Sequence, residues 1–150
     1  MRRLVIASCL LFLAGLGLAE EPAVTSNMPS DRLEKILTGL KIEFKKTPGK
    51  KDGVWFYEFT RQDCKVRLHN YDGQDLWIDS SYGPLPLTEL NRWNAQARHS
   101  RAVLLKEAGK SSVSLETQID CLGGVTDAMV KQFITRFDGE LEQFAAFTKK

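Results

Sequence analysis

Two histidines, His69 and His99, are the only side chains here whose ordinary titration falls near neutral pH. His69 shares one face of an alternating segment with Lys65 and Arg67. His99 follows the end of a helical segment. Nucleophilic catalysis by an imidazole needs a hydroxyl or thiol in reach and a third group to orient the ring. Neither histidine has such neighbours in its pattern, and no Gly-x-Ser-x-Gly elbow occurs, so both read as surface histidines. Asp72, Asp75 and Asp79 crowd one hairpin. A calcium loop needs alternating carboxylates, glycine at its sixth position and glutamate at its twelfth. Here Gly73 directly follows Asp72, so turn chemistry is the simpler reading. Lys45, Lys46, Lys50 and Lys51 surround a turn and read as a solvated hairpin tip. Asn91 and Asn94 flank Trp93, which reads as a core anchor, with Asn94 satisfying buried backbone groups. Met28, Met129 and the aromatic residues form no cofactor box. No catalytic residue, cofactor or metal is expected, and the chain reads as a non-enzyme.

The cysteines bear on compartment. Cys9 lies inside Leu4–Leu18, an apolar run preceded by Arg2 and Arg3 and followed by Gly17-Leu18-Ala19 and the polar Glu20-Glu21-Pro22. That pattern is a secretory leader, with cleavage expected after Ala19. The run is short of the roughly 20 residues that span a bilayer. Ile6-Ala7-Ser8-Cys9 also has the look of a lipobox, but most of the apolar stretch would then follow the cleavage point. Export leaves Cys64 and Cys121, which are either disulfide-bonded in an oxidising compartment or two separate small core residues. Without Arg2 and Arg3 the 21 basic side chains become 19, against 19 acidic ones. A near-neutral chain lacks the electrostatic footprint of a nucleic-acid binder and of a membrane-surface protein. A periplasmic or secreted location is expected, with no membrane contact beyond the removed leader.

The positioning elements follow from the spacing of apolar residues. Residues 20–29 are a polar lead. Ser30 is placed at an N-cap, with Leu33, Ile36, Leu37 and Leu40 on one helical stripe that ends at Gly39. Ile42 and Phe44 alternate with charged residues as a strand, and Thr47-Pro48-Gly49-Lys50 reads as a turn. Val54–Thr60 turns Trp55, Tyr57 and Phe59 one way and Val54 and Phe56 the other, so it reads as a strand that is central or covered on both sides. Cys64–His69 and Asp75–Ser81 alternate with period two, and Asp72-Gly73 is a hairpin signal. Leu87, Leu90, Trp93, Asn94 and Ala97 form the inner stripe of a helix opened by Pro86. Two further strands, Arg101–Lys106 and Val113–Cys121, lead to Gly123-Gly124 and an N-cap at Thr126. Val125 and Val130 staple the last helix, whose stripe is Val130, Phe133, Ile134, Phe137, Leu141 and Phe144. The order α-β-β-β-β-α-β-β-α predicts one α+β domain over 30–150, an antiparallel sheet with helices packed on one face.

Leu90-Asn91-x-Trp93-Asn94, Arg101-Ala102 at a strand start and Gly123-Gly124-Val125-Thr126 before a phenylalanine-rich helix resemble the YbjN domain family, known as bacterial sensory transduction regulators. The resemblance spans residues 30–147 or so. It implies a fold like that of type III secretion chaperones, small α+β proteins that bind other polypeptides. It supplies no catalytic residues, and Leu90, Asn91, Trp93, Asn94, Arg101, Gly123 and Gly124 are expected to be structural. The leader sets this chain apart from common members and argues against a cytoplasmic role. The expected function is an exported domain that binds a protein or peptide in envelope sensing or stress response, through a groove beside the helix beginning near Pro86. A homodimer is compatible with this. The alternative is a small-ligand binder or small envelope enzyme using the polar face around Arg67 and His69, and a third reading is a stress-related protein that stabilises an assembly.

Overall fold

The computed structural model of the chain describes residues 23–149. The expected leader, its cleavage point and Cys9 lie outside the described residues. The elements are α1 (Ser30–Gly39), β1 (Lys45–Pro48), β2 (Val54–Arg61), β3 (Cys64–Tyr71), β4 (Asp75–Tyr82), α2 (Leu87–Gln96), β5 (Arg101–Glu107), β6 (Lys110–Asp120) and α3 (Asp127–Thr148). The α+β order is the one read from the sequence. All six strands form one antiparallel sheet, ordered β1-β2-β3-β4-β6-β5.

Period-two alternation assigns the faces. Tyr57, Phe59, Val66, Leu68, Leu76, Ile78, Val113 and Leu115 are buried, and they share the face that the helices cover. Glu34 of α1 accepts from the Tyr57 hydroxyl. Phe144 of α3 meets Tyr82 of β4 edge-on at 4.8 Å and Trp93 of α2 at 4.9 Å. The predicted α3 stripe from Val130 to Phe144 is buried throughout, and full burial of each such side chain contributes roughly 1.5–3 kcal/mol. Thr126 caps α3, its hydroxyl accepting from the Met129 amide at 3.2 Å.

Several local expectations are corrected. Pro29 rather than Ser30 occupies the N-cap of α1, with no side-chain cap. Ile42 is not in a strand. It follows Lys41, which takes φ 56°, and its amide reaches back to the Leu37 carbonyl at 3.0 Å. That is a Schellman closure, in which the apolar residue after the left-handed one packs on the helix end. Strand β1 therefore starts at Lys45 and includes Thr47 and Pro48, where a turn was expected. Proline fits because β1 is an edge strand. Leu87 and Asn94 are exposed rather than on the inner stripe of α2, which buries Leu90 and Trp93.

The polar lead is built into the fold. Thr25 exchanges both backbone hydrogen bonds with Val125, at 2.9 and 2.7 Å. Met28 is fully buried. Its carbonyl accepts from the buried Asn70 amide at 2.9 Å, while Asn70 Oδ1 accepts from the Gly73 amide at 2.6 Å. A Cβ at Gly73 would meet Met28 backbone atoms at 3.1 Å, and its φ is +74°. Close approach and backbone sign therefore both select glycine there.

No disulfide joins Cys64 and Cys121; both are free thiols. Cys64 Sγ sits 3.5 Å from the Tyr82 hydroxyl at the end of β4. The Cys121 amide bonds Gln74 just before the start of β4. The length of β4 separates them, roughly 25 Å at the usual strand rise, whereas a bridge needs Cα atoms within about 7 Å. Burial, with the charges of Asp75 and Asp120, pushes the Cys121 thiol up to about 11.

Two measurements check this account. Asn70→Ala strands the Met28 carbonyl and the Gly73 amide, and is expected to cost about 1–3 kcal/mol, read as a lower urea midpoint. Alkylation without reductant is expected to modify both Cys64 and Cys121 in the unfolded protein, and to spare Cys121 in the native protein near neutral pH.

Candidate functional site

The carboxamide of Asn94 on α2 sets the end of the sheet. Its Oδ1 accepts from the Ala102 amide at 2.7 Å and its Nδ2 donates to the Ala102 carbonyl at 3.0 Å. One side chain thus occupies the outward hydrogen-bonding groups at the start of edge strand β5. Trp93, one residue earlier, is buried against Phe144 and Phe147. The chain between α2 and β5 is tied down by the Ser100 hydroxyl, which donates to Glu140 of α3 at 2.6 Å. Glu140 is itself buried.

This junction leaves β6 longer than its neighbour. Strand β5 pairs with β6 only from Arg101↔Glu116 to Glu107↔Lys110. On its other side β6 stays paired with β4 as far as Asp75↔Asp120. Beyond Glu116, the margin of β6 therefore faces a groove of about 540 Å³. Its walls are Thr117, Gln118 and Ile119 of β6, the 98–101 segment, and Met129, Gln132, Phe133 and Arg136 on one flank of α3, with Trp77 at the rim. Arg101 is paired with Glu116 at 2.8 Å. Among the described residues, Arg98 and Arg136 form no ion pair with any acid. The groove is thus cationic. His99 also lines it, but the neighbouring Ser100 hydroxyl is committed to Glu140 rather than to an imidazole.

The uncovered face of the sheet holds the second feature. His69 is buried, stacked on Trp77 at 4.7 Å and on Tyr71 at 5.9 Å, with Phe56 edge-on at 5.0 Å. Its Nε2 lies 2.6 Å from Asp79 Oδ2 and its Nδ1 lies 3.4 Å from the Tyr71 hydroxyl. Burial, then the charges of Asp79 and Asp75, raise the Tyr71 phenol above its ordinary range. Both ring nitrogens of His69 are thus occupied. The next row across the sheet is charged, and there Arg67 pairs with Glu58 at 2.6 Å. That pairing, with the nearby lysines, holds the Glu58 carboxyl below its usual range. A hollow lies beside Arg67 and Asp79, but His69 does not line it.

Other residues singled out by sequence are dispersed. Asp79 is engaged by His69, and Asp72 and Asp75 lie on the turn and at the start of β4. Among the described residues no three His, Cys, Asp or Glu side chains gather as metal ligands. Lys46 bonds Glu34 at 2.6 Å and lies over the Trp55 ring, while Lys50 and Lys51 are exposed. Leu90 is buried and Asn91 is exposed. Gly124 takes φ 97°, and a Cβ there would meet Val24 of the lead at 2.8 Å. Gly123 has open space around it. Groove residues Arg98, Gln118, Gln132 and Arg136 carry no motif, because they come from three elements and meet only in the fold.

One antiparallel layer with three helices on one side places the protein in the α+β class. The chain belongs to the YbjN family, described as "Putative bacterial sensory transduction regulator", which matches residues 29–148. No curated protein sequence matches the chain. Among solved structures it is similar to YbjN of E. coli, described as "a putative transcription regulator". The TM-score is 0.60 at 13% identity, over 84% of this chain and 97% of that one. It is also similar to an uncharacterized protein of Methanothermobacter thermautotrophicus, with TM-score 0.53 at 12% identity, over 81% of this chain and 97% of that one. At these identities the likeness is one of fold.

The Asn94 bond predicts a contrast. Asn94→Ala leaves both Ala102 backbone groups unpaired and is expected to cost about 1–3 kcal/mol. Asn91→Ala, at an equally exposed position whose side chain makes no hydrogen bond among the described residues, is expected to stay within about 0.5 kcal/mol of the parent. Urea unfolding of the two variants checks it.

Proposed function

We propose that this YbjN-family chain is exported and acts without catalysis, by holding a protein or peptide partner in envelope sensing or stress response. The observation that carries the reading is the groove beside β6. It is concave, cationic and lined from three elements, and the one hydroxyl in the 98–101 segment is engaged by Glu140. The sequence had favoured a contact surface beside the start of α2. Trp93, Phe144 and Phe147 fill the space between α2 and α3, which favours the β6 groove instead. The leader pattern over residues 1–19 supports export, and it makes Glu20 the expected first residue of the mature chain.

Met129 is exposed on the groove wall, and Leu105 is exposed on β5 outside that lining. A photoreactive amino acid at position 129, in the protein expressed in its own envelope, is expected to give a discrete adduct. The same group at 105 is expected to give none. Equal labelling from both positions, or none from 129, would overturn the reading. Intact mass of the envelope-fraction protein checks removal of the leader.

A further inference from the structure

Resting on that reading, we infer that the groove's occupant is an acidic segment of another protein in extended conformation, added to the sheet along the open margin of β6. In an antiparallel ladder, successive residues turn their amide and carbonyl to alternate sides. The Cys121 amide bonds the Gln74 carbonyl across β4 at 2.7 Å, in the same register as Asp75↔Asp120. Odd-numbered residues of this stretch therefore point their backbone groups at β4. Even-numbered ones point the other way. As far as Glu116 those outward groups meet β5. Gln118 and Asp120 lie past its end and face the groove. No backbone or side-chain hydrogen bond among the described residues engages their amides or carbonyls from that side. Both residues are exposed.

The other two sheet margins are blunted in the ways that keep strand edges from pairing. Strand β1 is four residues long and carries Pro48 and two lysines. The outward groups of Ala102 on β5 are taken by Asn94, and β5 ends in Lys106 and Glu107. The β6 stretch has neither proline nor lysine. Strand addition of an extended segment gives backbone affinity there, and flanking side chains set its specificity.

Charge selects the occupant. Arg98 and Arg136 flank the margin, and Arg101 already neutralises Glu116. A second copy of this chain would bring the same arginines against them, so like charge disfavours self-pairing. Alternating side chains of an added strand fall to opposite faces. The set facing α3 would meet Ile119, Met129 and Arg136, where a carboxylate reaches the guanidinium. The other set would lie beside Gln118 and Trp77 and suit apolar residues.

The test uses the purified protein and a fluorescent probe peptide of about eight residues, alternating glutamate and valine. Two controls accompany it: one with lysine for glutamate, and one with proline replacing two central valines. The acidic peptide is expected to bind, and amide exchange at Gln118 and Asp120 is expected to slow in its presence. The lysine and proline peptides are each expected to bind more weakly by roughly tenfold or more. Arg98→Glu and Arg136→Glu, both at exposed positions, are expected to weaken the acidic peptide similarly while leaving the urea midpoint unchanged. Equal binding of the proline peptide, unprotected Gln118 and Asp120, or a dimer by light scattering that blocks the probe would each overturn strand addition by an acidic partner. Failure of the acidic peptide with the position-129 adduct intact overturns this inference and leaves partner binding standing. Loss of both overturns both.

Discussion

The reach of the sheet is decided by one carboxamide. Asn94 offers β5 what a further strand would have offered, an acceptor for the Ala102 amide and a donor for its carbonyl. It does so from a helix, so the chain must approach β5 through a short connection from the end of α2. Trp93 fixes that helix from below by its contacts with Phe144 and Phe147. The start of β5 is thereby pinned at Arg101, opposite Glu116, while β6 continues to Asp120. Two strands whose ends are set by different contacts do not end together. The groove is the space their mismatch leaves, closed from below by α3.

The uncovered face shows a different balance. A sheet open to water on one side normally carries polar residues there. Here Phe56, Tyr71 and Trp77 shield a histidine whose two ring nitrogens have oxygen neighbours. Phe56 and Trp77 reach the imidazole from the two neighbouring strands, and Tyr71 from its own. The polar groups gain a site of lower dielectric, where their hydrogen bonds are electrostatically stronger. The row packs the centre of the sheet without a helix over it.

Legibility in the sequence followed the range of the causes. The α3 stripe and its Thr126 cap depend on residues within a few positions of each other, and both stand as read. The Asp72-Gly73 hairpin was equally local. Ile42 was misread because an apolar residue spaced two from Phe44 satisfies both a strand and a Schellman closure. Only the positive φ of Lys41 separates them, and lysine does not advertise it. The lead read as polar because Met28 has no apolar neighbour at strand or helix spacing within a packed element. Its burial depends on Asn70 and Gly73, over 40 positions away. His69 looked exposed because strand alternation reports which face a side chain takes, not what stands beside it there. The groove was invisible for the strongest reason: no single segment contains it.

The frame of this junction and the walls of the groove are built from separate sets of side chains. Asn94, Trp93, Ser100 and Glu140 hold α2, the connection and α3 together through buried or bonded contacts. Arg98, Gln118, Gln132 and Arg136 stand around them exposed, outside the core cluster. Exposed side chains away from buried networks usually alter stability by less than about 0.5 kcal/mol when replaced. The walls of the groove are therefore free to change charge and shape while the frame that creates it stays fixed. Under the proposed strand addition, different extended partners would be fitted to one scaffold in this way, because the backbone groups of Gln118 and Asp120 do not depend on the side chains around them. What such members would differ in is the charge around that margin, which in this chain comes from Arg98 and Arg136 across the groove.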